Sequence, residues 1–218
     1  MPEIKERPIL FSAPMVRAIL AGQKTVTRRV VKGDQVPHLS KAGGEWPWIA
    51  VGQHHRRYGF IISASTEQEC ADQLGAFGAC PYGRRGERLW VRETFNTSNE
   101  CRPPIDEPFI YAADLNSDGV QKWAARWKPS IHMPRAASRI LLEITRVRVE
   151  RLQAISDEQC VAEGCGVGPG AIGVKLTVPP GASMPQAMFA ELWKSINGAS
   201  AWDANPWVWV VEFKRVTP

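Results

Sequence analysis

One stretch of this 218-residue chain gathers reactive side chains at a change of backbone: Ile19-Leu20-Ala21-Gly22-Gln23-Lys24-Thr25-Val26-Thr27-Arg28-Arg29. A helix stops at glycine, and a lysine and two threonines lead into a strand. An amine and two hydroxyls are the residue types of base and nucleophile chemistry. Local physics alone gives a plainer reading. Lys24 then answers the dipole of a helix C-terminus from solvent, and Thr27 is a β-branched strand former. Other patterns carry less. Gly164-Cys165-Gly166-Val167-Gly168-Pro169-Gly170 lacks the Gly-Lys-Ser/Thr of a phosphate loop, and no strand feeds it, so a flexible loop is the better reading. His54-His55-Arg56-Arg57 reads equally as a basic patch or a solvated loop. The five cysteines, at 70, 80, 101, 160 and 165, are odd in number and lack CxxC spacing or an accompanying HxxxH. That argues against a structural zinc site. No GxSxG, HExxH or Ser/His/Asp pattern occurs. Nine tryptophans offer core filling and base-stacking platforms, with core packing the better reading for most.

The elements that must position these residues follow from periodicity. Residues 9–23 read as a helix, with Ser12 as cap, Pro14 in the first turn, Val16, Ile19 and Leu20 as its stripe and Gly22 as its stop. Lys24–Val31 alternates like a strand. Residues 33–86 show little periodicity apart from a strand at Tyr58–Ala64. Glu87–Phe95 and Phe109–Ala113 read as strands, and Val120–Trp127 as a short helix or turn. Arg139–Leu152 is a long strand whose apolar parity switches from even (Ile140, Leu142, Ile144) to odd (Val147, Val149). The switch predicts a bulge or barrel corner near Thr145. Ser156 caps a helix ending at Gly164, residues 164–181 are loop-like, Pro185–Ile196 is an amphipathic helix, and Trp207–Val216 is a closing strand. Strands dominate without regular helical crossovers. The expected class is α+β: a small β-barrel flanked by helices, not a doubly wound sheet.

Composition sets the outer limits. Apolar residues are 44% and charged residues 22% of the chain, which argues against wholesale disorder. The net charge of +5 favours an anionic partner mildly. The first residues, MPEIKERP, contain no apolar leader, and no apolar run reaches the ~18 residues of a spanning helix. We therefore expect a soluble, cytoplasmic protein with free thiols and no membrane partner.

Taken together, the helix followed by GQKTVTRR, then GERLWVRETF, a long strand ending in Glu150-Arg151-Leu152, a helix with Glu163-Gly164 and a final WVWVVEFKRV resemble the ASCH domain. This family is similar to PUA domains. It includes nucleic-acid-associated modules, phage and prophage proteins, and small bacterial N4-acetylcytidine amidohydrolases. The resemblance covers about half the chain in four blocks. It implies a single PUA-like domain over 1–218, with long loop insertions at about 33–86, 96–138 and 165–184. It also implies a Lys–Thr–Glu catalytic set, carried over to Lys24, Thr27 and Glu163; Arg28, Trp90 and Arg92 are the expected substrate contacts beside it. Asp157 and Glu158 lie on the same helix as competitors for the carboxylate role. Thr27 would attack the exocyclic amide, and Lys24, held neutral well below its ordinary pKa of about 10.4, would act as base. No metal or other cofactor is expected, and the partner would be a modified nucleoside or RNA. The alternative is a non-catalytic nucleic-acid-binding module of phage origin, using Arg84, Arg85, Arg88, Arg92, Lys122, Arg126 and Lys128, or a ribonuclease.

Overall fold

The computed structural model describes residues 4–55, 58–97, 108–115, 127–166, 181 and 183–216. Within them the chain runs β1 (Glu6–Leu10), α1 (Ala13–Leu20), β2 (Val26–Val30), β3 (His38–Leu39), β4 (Trp48–His55), β5 (Tyr58–Ala64) and α2 (Glu67–Ala76). It continues through β6 (Arg88–Arg92), β7 (Phe95–Thr97), β8 (Phe109–Tyr111), β9 (Leu141–Arg151), α3 (Asp157–Ala162), α4 (Met184–Asn197) and β10 (Trp207–Val216). The reading of Val120–Trp127, apart from Trp127 itself, and those at Arg56-Arg57 and across most of 164–181 fall outside the described residues, as do Lys122 and Arg126.

The main sheet has the order β1-β6-β9-β10-β2. The β1–β6 pair is parallel; the other three pairs are antiparallel. Trp207–Val216 is the strand expected, and it lies inside the sheet between β9 and β2. Its sequence explains this. Trp207, Trp209, Val211 and Phe213 enter one core, with Ile9, Val16, Leu74 and Leu142. Val208 and Val210 enter a second core on the opposite face, with Val26, Leu152, Phe189 and Trp193. A strand buried on both faces must be apolar at consecutive positions, which is the WVWVV run. The expected parity switch in β9 is present as a bulge: Glu212 pairs with Arg146 and Phe213 with Ile144, so Thr145 is passed over.

The α+β class agrees with expectation, but among the described residues no sheet closes into a barrel, and β1 and β2 are free edges. Two further readings need correction. Ile9 and Leu10 belong to β1, not to the first helix, which begins at Ala13. Pro8 and the charges of ERPIL mask the strand, as suits an edge position. Residues 33–86 are not a loop throughout. They fold as the sheet β3-β4-β5 followed by α2, and Cys70, Ala71 and Leu74 of α2 enter the first core. Thr66 and Glu69 form a reciprocal capping box at the start of α2. Gly75 lets the helix lie close on β9, since a Cβ there would meet the Arg148 backbone at 3.1 Å. Among the described residues no helix is long and apolar enough to cross a membrane.

Candidate active site

Two glycine turns bring the chemistry together. Gly22 has φ +73°, which releases the chain from α1 and turns it into β2. Gln23 and Lys24 then both donate backbone N–H bonds to the Ala18 carbonyl, at 2.8 and 3.0 Å. At the other end of the chain, Ser156 and Gln159 form a capping box on α3, Glu163 is its C-cap, and Gly164 leaves at φ +92°. The two ends meet in a short antiparallel bridge between Lys24 and Glu163, with Thr25 N donating to Ala162 O at 2.8 Å.

Lys24 is therefore not a solvated lysine at a helix end. It is 2% exposed, and its Nζ donates to Glu163 Oε2 at 2.5 Å, to the Glu163 carbonyl at 2.9 Å and to the Val26 carbonyl at 2.9 Å. Three acceptors exhaust an ammonium's three protons. Burial lowers the Lys24 pKa from the ordinary lysine value, Glu163 opposes that fall, and the Arg29 charge adds to it.

Glu163 also accepts from Arg28 Nη1 at 3.2 Å. Arg28 is 4% exposed, and its Nη2 donates to Glu150 and Gln159. Glu150 in turn pairs with Arg148, and Arg148 with Glu212. A buried cation pair, Lys24 and Arg28, thus faces a carboxylate pair, Glu163 and Glu150, and the charges balance. Each pair offsets the desolvation of the other, and removal of one member leaves an uncompensated charge. Gln159 both closes the cap of α3 and holds Arg28, so helix geometry and site geometry are fixed by one side chain.

Thr27 lies on β2, which among the described strands pairs with β10 alone. Val31 N donates to Trp207 O, and Thr25 O accepts from Phe213 N. Odd-numbered backbone groups of β2 therefore face β10, and strand alternation turns those of Val26, Arg28 and Val30 to the open edge. The Val26 carbonyl, facing that way, is the one Lys24 uses. Along this edge runs a pocket of about 500 Å³, lined by Thr27, Arg28 and Glu163 together with Phe11, Tyr82 and Phe189. Its volume is that of a small-molecule site. Lys24 lies behind this lining with no exposed side-chain surface.

The structure thus gathers Lys24, Thr27, Arg28 and Glu163. It places Trp90 and Arg92 elsewhere: the Arg92 guanidinium lies 4.8 Å from the Trp90 ring and donates to Met133 O, and neither residue lines the pocket. The competing acids are also apart from it. Glu158 faces a different depression, and Asp157 accepts from the Ser183 hydroxyl. Sequence reasoning missed Glu150 and Gln159 as partners of Arg28. It also missed Phe11, Tyr82 and Phe189 as walls, because aromatic residues in apolar stripes read as core. Burial pushes the Cys160 and Cys165 thiols to about 12, which removes them as nucleophiles at neutral pH. Among the described residues, no group of three or more His, Cys, Asp or Glu is placed to hold a metal ion. Comparison with protein-family models, with curated proteins and with solved structures finds no match to this chain.

Proposed function

We propose that this chain is an ASCH-type amidohydrolase that removes the acyl group from N4-acylated cytidine or a related modified nucleobase. The observation that carries this reading is the meeting of Lys24 and Glu163 by a 2.5 Å ion pair at the back of a pocket that Thr27 lines. These residues lie 139 positions apart, and the sequence resemblance had named them for one site. The reading equates the five-stranded sheet with the PUA-like barrel of that family.

The chemistry runs as an acyl transfer. The Thr27 hydroxyl attacks the amide carbonyl, the C–N bond breaks, and N4 leaves with a proton. Water then hydrolyses the threonine ester, so acylcytidine and water give cytidine and a carboxylic acid. Neutral Lys24 receives the Thr27 proton and passes one along the short contact to Glu163, which supplies it to the leaving nitrogen, so that both groups return to their starting state. The backbone N–H of Arg28, the residue after the nucleophile, faces the open edge and is positioned to donate to the carbonyl oxygen as it gains charge.

This scheme fixes a pH dependence. Lys24 must lose a proton, so kcat/KM should rise with pH by about tenfold per unit until it levels at the Lys24 pKa. Burial sets that level below the ordinary lysine range. Glu163 raises the Lys24 pKa, so Glu163→Gln should move the same limb to lower pH in whatever activity remains. A profile that is flat from about pH 5 to 9 in both proteins would contradict Lys24 as the base.

The nucleic-acid-binding reading has one observation in its favour: Lys5, Arg7, Arg84 and Arg85 line a second depression, of about 600 Å³. Arg7 and Arg84 are both paired with Glu87, a single carboxylate that offsets one of the four positive charges. Salt separates the two readings. A binder that neutralises six phosphates loses about 10³-fold in affinity between about 50 and 200 mM salt. Hydrolysis of a neutral nucleoside should change only a few-fold over that range. Tight RNA binding with a steep salt slope and no deacylation would support the binding module.

A further inference from the structure

We infer that the cleft carries a phosphate subsite formed by Arg29 and Lys32, so that the acylated cytidine is taken as a phosphate ester, a nucleotide, in preference to the neutral nucleoside. This inference rests on the deacylase reading of the same cleft.

The charge balance of the cleft is the starting point. Glu163 is the one acidic residue among the described lining, and it is already engaged by Lys24 and Arg28. Arg28 is in turn held by Glu163, Glu150 and Gln159. Arg29 and Lys32 line the same pocket, and among the described residues neither has a carboxylate partner. Two positive charges are thus in surplus beside a site whose interior is neutral.

The geometry of Arg29 suits an anion. Its Nη2 donates to the Leu10 carbonyl at 2.7 Å, and its guanidinium lies 5.4 Å from the Phe11 ring. Those two contacts fix the plane of the group. A planar guanidinium held in one orientation is suited to paired hydrogen bonds with phosphate oxygens. Lys32 adds a point charge in the extended chain just beyond the end of β2. With about 3.3 Å of rise per residue, Arg29 sits about 7 Å and Lys32 about 16 Å along the backbone from Thr27. A nucleotide laid along the open edge of β2 places its acyl group at Thr27 and its phosphate towards these two cations. The Val30 N–H faces the same edge and adds a backbone donor between them.

Calorimetric titration of the full-length protein with cytidine 5′-monophosphate and with cytidine tests this without requiring turnover. The monophosphate should bind about ten- to a hundredfold more tightly. Arg29→Gln and Lys32→Gln should each shrink that ratio, and Lys32→Gln, at an exposed position, keeps the test open if Arg29→Gln fails to fold. Equal affinities for the two ligands in the wild-type protein, or a ratio unchanged in both variants, would overturn the subsite. A short single-stranded oligoribonucleotide identifies the source of the phosphate. Binding equal to that of the monophosphate supports a free nucleotide, and binding more than about tenfold tighter supports a nucleotide within a chain. Failure of the deacylase reading shows separately, as absence of cytidine release from N4-acetylcytidine.

Discussion

Lys24→Ala and Thr27→Ala should each lower the hydrolysis of N4-acetylcytidine by about a thousandfold or more, and the double variant should be little worse than either single one. The non-additivity follows from the roles: without the hydroxyl there is nothing for the base to activate, and without the base the hydroxyl stays protonated. The two variants should differ in stability. Thr27 is 3% exposed, so its truncation loses buried contacts but leaves no charge without a partner. Lys24 anchors three acceptors in a buried network, and removing one member of a buried ion pair costs about 3–5 kcal/mol. Circular dichroism and a melting curve on each protein therefore accompany the kinetics. Near-wild-type turnover in both variants would refute the nucleophile and base together.

Glu163→Gln should depress turnover by about a hundredfold or more, while Glu158→Gln should stay within about twofold of wild type. An amide can still accept a hydrogen bond from Lys24 or Arg28, but it cannot take a proton from one group and give it to another. It also takes from Lys24 the carboxylate it is paired with and leaves Arg28 with Glu150, so the variant should melt at a lower temperature. Glu158 stands on the exposed side of the same short helix, where its carboxylate answers the Ser156 hydroxyl and the helix N-terminus. Paired kinetics on the two variants check this ordering. The reverse order would place the reactive carboxylate a turn earlier and detach it from Lys24.

What was legible in the chain was local. The capping residues of α3, the extent of β10 and the bulge at Thr145 are all set by neighbours in sequence, and the structure reproduces them. The strand β1 and the helix α2 were hidden for different reasons. A proline and two charges break the alternation of the first, and the capping box at Thr66 lies inside a segment whose glycines and histidines obscure its period. The environment of Lys24 could not be read locally at all. A lysine after a helix-ending glycine reads as solvated, and only the return of the chain at Ala162–Glu163 buries it. Arg28 shows the same limit: expected as a substrate contact, it lines the pocket yet is committed to two carboxylates and a glutamine. Trp90 looked like a stacking platform by residue type. Its place on β6, between β1 and β9, instead covers it with Arg92.

The most direct measurement mixes the purified protein with N4-acetylcytidine and follows the ultraviolet spectrum as the acylated base becomes cytidine. Repeated turnover to cytidine, with acetate released in equal amount and with no conversion by Thr27→Ala, is the predicted result. An unchanged spectrum at enzyme-to-substrate ratios near one, with the wild-type protein folded, would contradict the proposed acyl transfer.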